Sequence, residues 1–173
     1  MGVYYYYVNE TKRQYFCIAP AEFNIKSHAL GRNIGSRALS YLILHNDSHC
    51  LCDEPHPLVG SWIGDRFFAT GDDDHTGFES ITSDYQDIGQ SIIEMLVAVA
   101  PYDLVKYGEP FYDGMDNGGG DWLIHLIEHD GDPIVINPQM RKRLSHTFRR
   151  EHYLMPSAGL ARVIAALKRQ IME

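Results

Sequence analysis

The sequence predicts an α+β fold: a small, mostly antiparallel sheet opened by an N-terminal β-hairpin, packed by two or three helices and closed by a C-terminal amphipathic helix. Three observations carry this. Residues 3–8 (Val-Tyr-Tyr-Tyr-Tyr-Val) and 14–18 (Gln-Tyr-Phe-Cys-Ile) are β-branched and aromatic runs flanking the polar stretch Asn9-Glu-Thr-Lys-Arg13, a hairpin signature. Tyr85, Ile88, Ile92, Ile93, Leu96 and Val99 recur at helical spacing. Leu160, Val163, Ile164, Leu167 and Ile171 do the same, with Arg162, Lys168 and Arg169 on the opposite face.

The remaining elements follow in order. After an irregular stretch from Pro20 to Gly31, residues 34–45 carry Ile34, Ala38, Leu39, Tyr41, Leu42 and Leu44 at helical spacing. Residues 46–57 hold polar groups, cysteines and two prolines and read as a loop. Residues 62–70 read as the third strand. The long helix is expected to start at Ser83-Asp84, a candidate N-cap, and to stop at Pro101. Residues 108–120, rich in Gly, Asp and Tyr, form a long loop. Residues 122–127 suit either strand or helix, and Ile134-Val-Ile136, flanked by prolines, suits a strand.

A chain of 173 residues suits a single domain, with a core over 1–99 and an extension over 100–173. The formal charge of −8 disfavours general binding to nucleic acid or to anionic membranes, because both require an electropositive footprint. The charge is uneven, however: residues 108–132 are acid-rich, whereas Arg141-Lys-Arg143 and Arg149-Arg150 put five cations into ten residues. Those cations read as a solvated face paired with the protein's own acids, and any nucleic-acid contact would have to be local. Cys17, Cys50 and Cys52 cannot pair completely, which suggests a reducing compartment. With no leader pattern after Met1 and no apolar stretch of membrane-spanning length, the expected location is cytoplasmic, away from the membrane.

Four clusters carry groups capable of chemistry. Residues 60–74 place a short apolar run between two Gly-Asp steps and end in three carboxylates. There Asp72, Asp74 and His75, with Asp65 nearby, form a candidate site for a divalent metal ion. The spacing fails the calcium-loop pattern, and acids at a strand end commonly serve as turn residues. His45, His49, Cys50, Cys52, Asp53 and His56 form a second cluster, in which His49 and Cys52 are candidate zinc ligands without a recognised spacing. Gly118-Gly-Gly-Asp-Trp122 lacks the Lys-Ser or Lys-Thr of a phosphate-binding loop. His125-Leu-Ile-Glu-His129 matches the inverted zinc-protease motif in letters, which makes His125, Glu128 and His129 candidate catalytic residues on one face of a helix or a strand. Neither a Gly-x-Ser-x-Gly elbow nor a cysteine in a nucleophile setting is present.

The segment from Tyr4 to Lys12 ending Val-Asn-Glu-Thr-Lys, the Trp62-Ile-Gly-Asp65 step, Thr70-Gly-Asp72 and Tyr85-x-Asp87-Ile88 resemble a widespread group of small uncharacterised proteins. The resemblance covers about residues 1–99 and implies a shared α+β core with no catalytic residue. Asp73 departs from that pattern, where the group tends to have Tyr, and the chain continues well past it.

Two functions compete. One is a small binding protein that regulates or antagonises a protein partner through the aromatic hairpin and residues 60–74, with Tyr4, Tyr6, Trp62, Asp65 and Asp72 as contact residues. The other is a metal-dependent hydrolase built on the His/Glu or Asp cluster.

Overall fold

The computed structural model describes residues 5–17, 34–45, 56–71, 78–106, 121–128, 134–152 and 158–171. Among these, four strands and seven helices follow in the order β1 (Tyr5–Asn9), β2 (Gln14–Phe16), α1 (Ile34–Leu42), β3 (Phe67–Gly71), α2 (Phe78–Asp84), β4 (Gln86–Asp87), α3 (Gly89–Val99), α4 (Pro101–Lys106), α5 (Asp121–Glu128), α6 (Pro138–His152) and α7 (Ala158–Ile171). The sheet order is β3-β1-β2-β4. β1 pairs antiparallel with both β2 and β3, and β4 joins β2 in parallel. The α+β class, the N-terminal hairpin and the closing C-terminal helix agree with the sequence reading, while the helices outnumber the two or three expected.

The core starts on β1 and β2, where Tyr7, Val8 and Phe16 are buried. Tyr7 and Phe16, paired across β1 and β2, stack with ring centroids 5.2 Å apart, and Phe16 meets Trp62 at 5.6 Å. Behind them α3 contributes Ile92, Ile93, Met95 and Leu96, all fully buried. The same hydrophobic cluster runs on through Leu104 of α4, Leu123 and Leu126 of α5, Leu144 and Phe148 of α6, and Val163 and Leu167 of α7. Residues before and after position 100 therefore share one apolar core.

Three local expectations are corrected. The strand expected at 62–70 begins only at Phe67. Before it, Gly60 (φ +74) and Gly64 (φ +79) wind the chain through successive turns, closed by Ser61 N–H to Leu58 O (3.0 Å) and Asp65 N–H to Trp62 O (3.1 Å). The single helix expected from Ser83 is two helices. Ser83 and Asp84 end α2, and Gln86 and Ile88 are drawn to the sheet by N–H bonds to Arg13 O and Tyr15 O, each 2.9 Å. Pro101 ends α3 and also opens α4, a first-turn position where its missing N–H costs nothing.

The strand expected at Ile134–Ile136 is not a strand. The Gln90 side chain takes the place of a neighbouring strand, its Oε1 accepting from Val135 N–H (2.9 Å) and its Nε2 donating to Val135 O (3.1 Å). Residues 122–127, left open between strand and helix, are helical.

The run of cations from Arg141 to Arg150 lies on a helix, α6. Its signals are in the sequence: Asn137 accepts from Met140 N–H (3.0 Å) as an N-cap, Pro138 occupies the first turn, and Met140, Leu144 and Phe148 are buried at i, i+4 and i+8.

Candidate interaction surface

The hairpin turn and the turn before β3 interlock. Asn9, fully buried, donates from Nδ2 to Asp65 Oδ2 (2.8 Å), while its Oδ1 accepts from Lys12 N–H (2.8 Å). Lys12 Nζ lies 3.4 Å from the same carboxylate oxygen and also bonds Ser61 O. Thr11 Oγ1 accepts from Arg66 N–H (2.9 Å), and Arg66 pairs with Glu10 at 3.0 Å. The Asn-Glu-Thr-Lys and Trp-Ile-Gly-Asp segments are thus one clasp, and Asp65 is held within it.

Trp62, a predicted contact residue, is fully buried. Its indole N–H donates to Gln14 Oε1 (3.3 Å), and its ring packs between Phe16 and Phe67. It belongs to the core beneath the surface. Tyr6 is half-buried beside Tyr15, with ring centroids 6.0 Å apart. Burial, then the nearby Asp87 carboxylate, raises the Tyr15 phenol above its ordinary value.

Apolar exposure is concentrated around this clasp. The large hydrophobic side chains exposed among the described residues are Ile43, Ile63, Phe67 and Phe68, each about two-fifths accessible. Ile43 reaches this region because the end of α1 is bonded to the turn: Gly60 N–H to Tyr41 O and Trp62 N–H to Leu42 O, both 2.9 Å. The sequence reading named neither Ile43 nor Phe68. Their signal was weak, since an isolated apolar residue at a helix end or in a strand is indistinguishable from a core residue until burial is known.

β3 is also an edge among the described strands. Glu10 N–H bonds Arg66 O (2.9 Å), which fixes the phase of the ladder: residues 66, 68 and 70 face β1, while Phe67 and Ala69 turn their backbone N–H and C=O outward. Side chains of Phe67 and Phe68 project to opposite faces.

Of the expected catalytic and metal-binding residues, His125 and Glu128 lie among the described residues. His125 and Glu128 both lie on α5, but Glu128 is ion-paired to Arg169 of α7 and ties the two helices together. Tyr4, Asp72, Asp74, His75, His49, Cys52 and His129 lie outside the described residues. Among the described residues no three His, Cys, Asp or Glu side chains are placed to hold a metal ion, and no helix is long and apolar enough to cross a membrane.

Among known proteins the chain matches no family model, no curated protein and no solved structure, so its chemistry rests on its own residues.

Proposed function

We propose that this protein is a binding module that engages a protein partner through the surface formed by the turn at residues 60–64, the outer edge of β3 and the end of α1. The observation that carries this reading is the exposure of Phe67 and Phe68 on the two faces of β3, an edge among the described strands, with Ile63 exposed in the turn before it and Ile43 at the end of α1. Large apolar side chains left in water on both sides of a strand edge suit an interaction site, and an outward-facing backbone ladder suits an extended partner segment. The clasp of Asn9, Lys12 and Asp65 supports it by fixing the turn that carries Ile63.

A photoreactive amino acid placed at Ile63 or Phe68, with Gln139 on exposed α6 as the control position, tests the proposal in extract of the source cells. A discrete adduct from 63 and 68, absent from 139 and competed by unlabelled protein, is expected. Equal or absent crosslinking at all three positions refutes it.

A further inference from the structure

Charge is segregated along this chain to a degree that its total conceals. Between residues 138 and 171 the sequence carries eight Lys or Arg and one acid, Glu151, for a formal +7; the whole chain is −8, which leaves −15 on the remainder. These cations fall on α6 and α7, which pack against each other, with Arg141 Nη1 bonded to Gln170 Oε1 (3.0 Å) so that the start of α6 lies beside the end of α7.

Lys142, Arg143 and Arg149 form no ion pair among the described residues; Arg143 instead donates to the carbonyl of Ala98 (3.1 Å). Lys142, His146 and Arg149 are all exposed and follow one another at i, i+4 and i+7, opposite the buried Met140, Leu144 and Phe148. The stripe spans about 10 Å of helix axis. It is rigid, because the buried face of α6 is locked into the core.

We infer that this stripe binds the phosphate backbone of nucleic acid, locally and without sequence preference. Two features favour that ligand over an acidic protein. Protein interfaces need an apolar or aromatic centre, whereas the exposed described positions of α6 and α7 are Pro, Gln, Ala, Lys, Arg and His. Phosphate contacts need only fixed cations, whose counterion release supplies the binding free energy. The absence of an exposed aromatic among those positions removes base stacking and with it the main source of sequence preference on single strands. The acidic remainder of the chain limits contact to this one surface. The inference is independent of the protein-binding surface around β3.

Fluorescence anisotropy with short labelled duplex and single-stranded oligonucleotides tests it on the full chain. Binding is expected at about 50 mM salt, and three phosphate contacts would weaken it roughly 40-fold by about 200 mM. Lys142→Gln/Arg149→Gln should reduce affinity at low salt and flatten the duplex log–log salt slope by about 1.8, and Lys142→Arg/Arg149→Lys should restore both. Circular dichroism of both variants should match the parent, since neither side chain is buried. No binding to either oligonucleotide at low salt overturns the inference, as does binding that the Gln variant leaves unchanged. Tighter binding to a poly-glutamate peptide or to anionic phospholipid vesicles overturns the assignment to nucleic acid.

Discussion

Asn9 Nδ2 donates to Asp65 Oδ2 at 2.8 Å, joining positions 56 residues apart in sequence, and Asn9 is fully buried while it does so. One side chain thereby closes the hairpin turn through Lys12 N–H and anchors the turn that precedes β3.

Asn9→Ala should therefore cost more than its size suggests. It leaves the Lys12 N–H without its acceptor and the part-buried Asp65 carboxylate with the Lys12 ammonium but without its amide donor, a loss of about 2 to 4 kcal/mol. Lys12→Ala, which removes an ammonium on a more exposed side chain, should cost less than about 1 kcal/mol. Urea unfolding of the two variants measures the contrast, and equal destabilisation would refute the clasp.

Two neighbouring glycines should respond differently to the same substitution. Gly60 and Gly64 both have positive φ, so alanine at either carries a backbone cost of about 1 kcal/mol. At Gly64 the new Cβ meets open space, whereas at Gly60 it would lie 2.8 Å from the carbonyl oxygen of Leu44, which is backbone and cannot swing aside. Gly60→Ala should lower the thermal midpoint clearly further than Gly64→Ala, and should also disturb the seating of Ile63.

Gln90 bonds both backbone groups of Val135, so Gln90→Glu at neutral pH replaces a donor with a carboxylate and sets it against the Val135 carbonyl. A destabilisation of about 1 to 3 kcal/mol follows from the bond lost and the acceptor left unmet. Gln90→Ala removes the oxygen that protects Val135 N–H as well, so in that variant hydrogen exchange at Val135 should accelerate more than at Ile92.

His56 gives the stability a pH dependence. Burial lowers its pKa below the ordinary 6.5, opposed by the Glu94 carboxylate and reinforced by the Arg143 guanidinium. Its Nδ1 also accepts from Leu58 N–H (3.3 Å), which requires the neutral ring. A histidine with a depressed folded-state pKa binds protons more readily when unfolded. Its contribution is present above 6.5 and is lost as pH falls from there through the folded value. The urea midpoint of the parent should fall more steeply than that of His56→Gln as pH drops below 6.5, and identical slopes would show that His56 does not titrate on unfolding.

Periodicity made much of the fold legible. The hairpin at 5–16, the helix from Ile34 and the closing helix ending at Ile171 were all readable because their apolar residues recur with the period of a single element. Where the sequence reading went astray, a long-range partner overrode the local pattern: Arg13 and Tyr15 carbonyls drew Gln86 and Ile88 to the sheet, and Gln90 substituted for a strand beside Val135. Of the contact residues, Asp65 was recognisable as a turn acid, but its partner Asn9 was not, and Trp62 looked like a surface aromatic until the turns around it carried it inward.

The sequence by itself determined the α+β class, the N-terminal hairpin, the amphipathic closing helix and the uneven charge, since each depends on residue type and spacing along the chain. Only the tertiary structure decided which apolar side chains remain in water and which cations form no ion pair among the described residues. Burial and ion pairing are relations between residues distant in sequence: Ile43 comes to Ile63 only through backbone bonds between α1 and the turn at Gly60, and Lys142 and Arg149 stand exposed only because Leu144 and Phe148 hold α6 against the core.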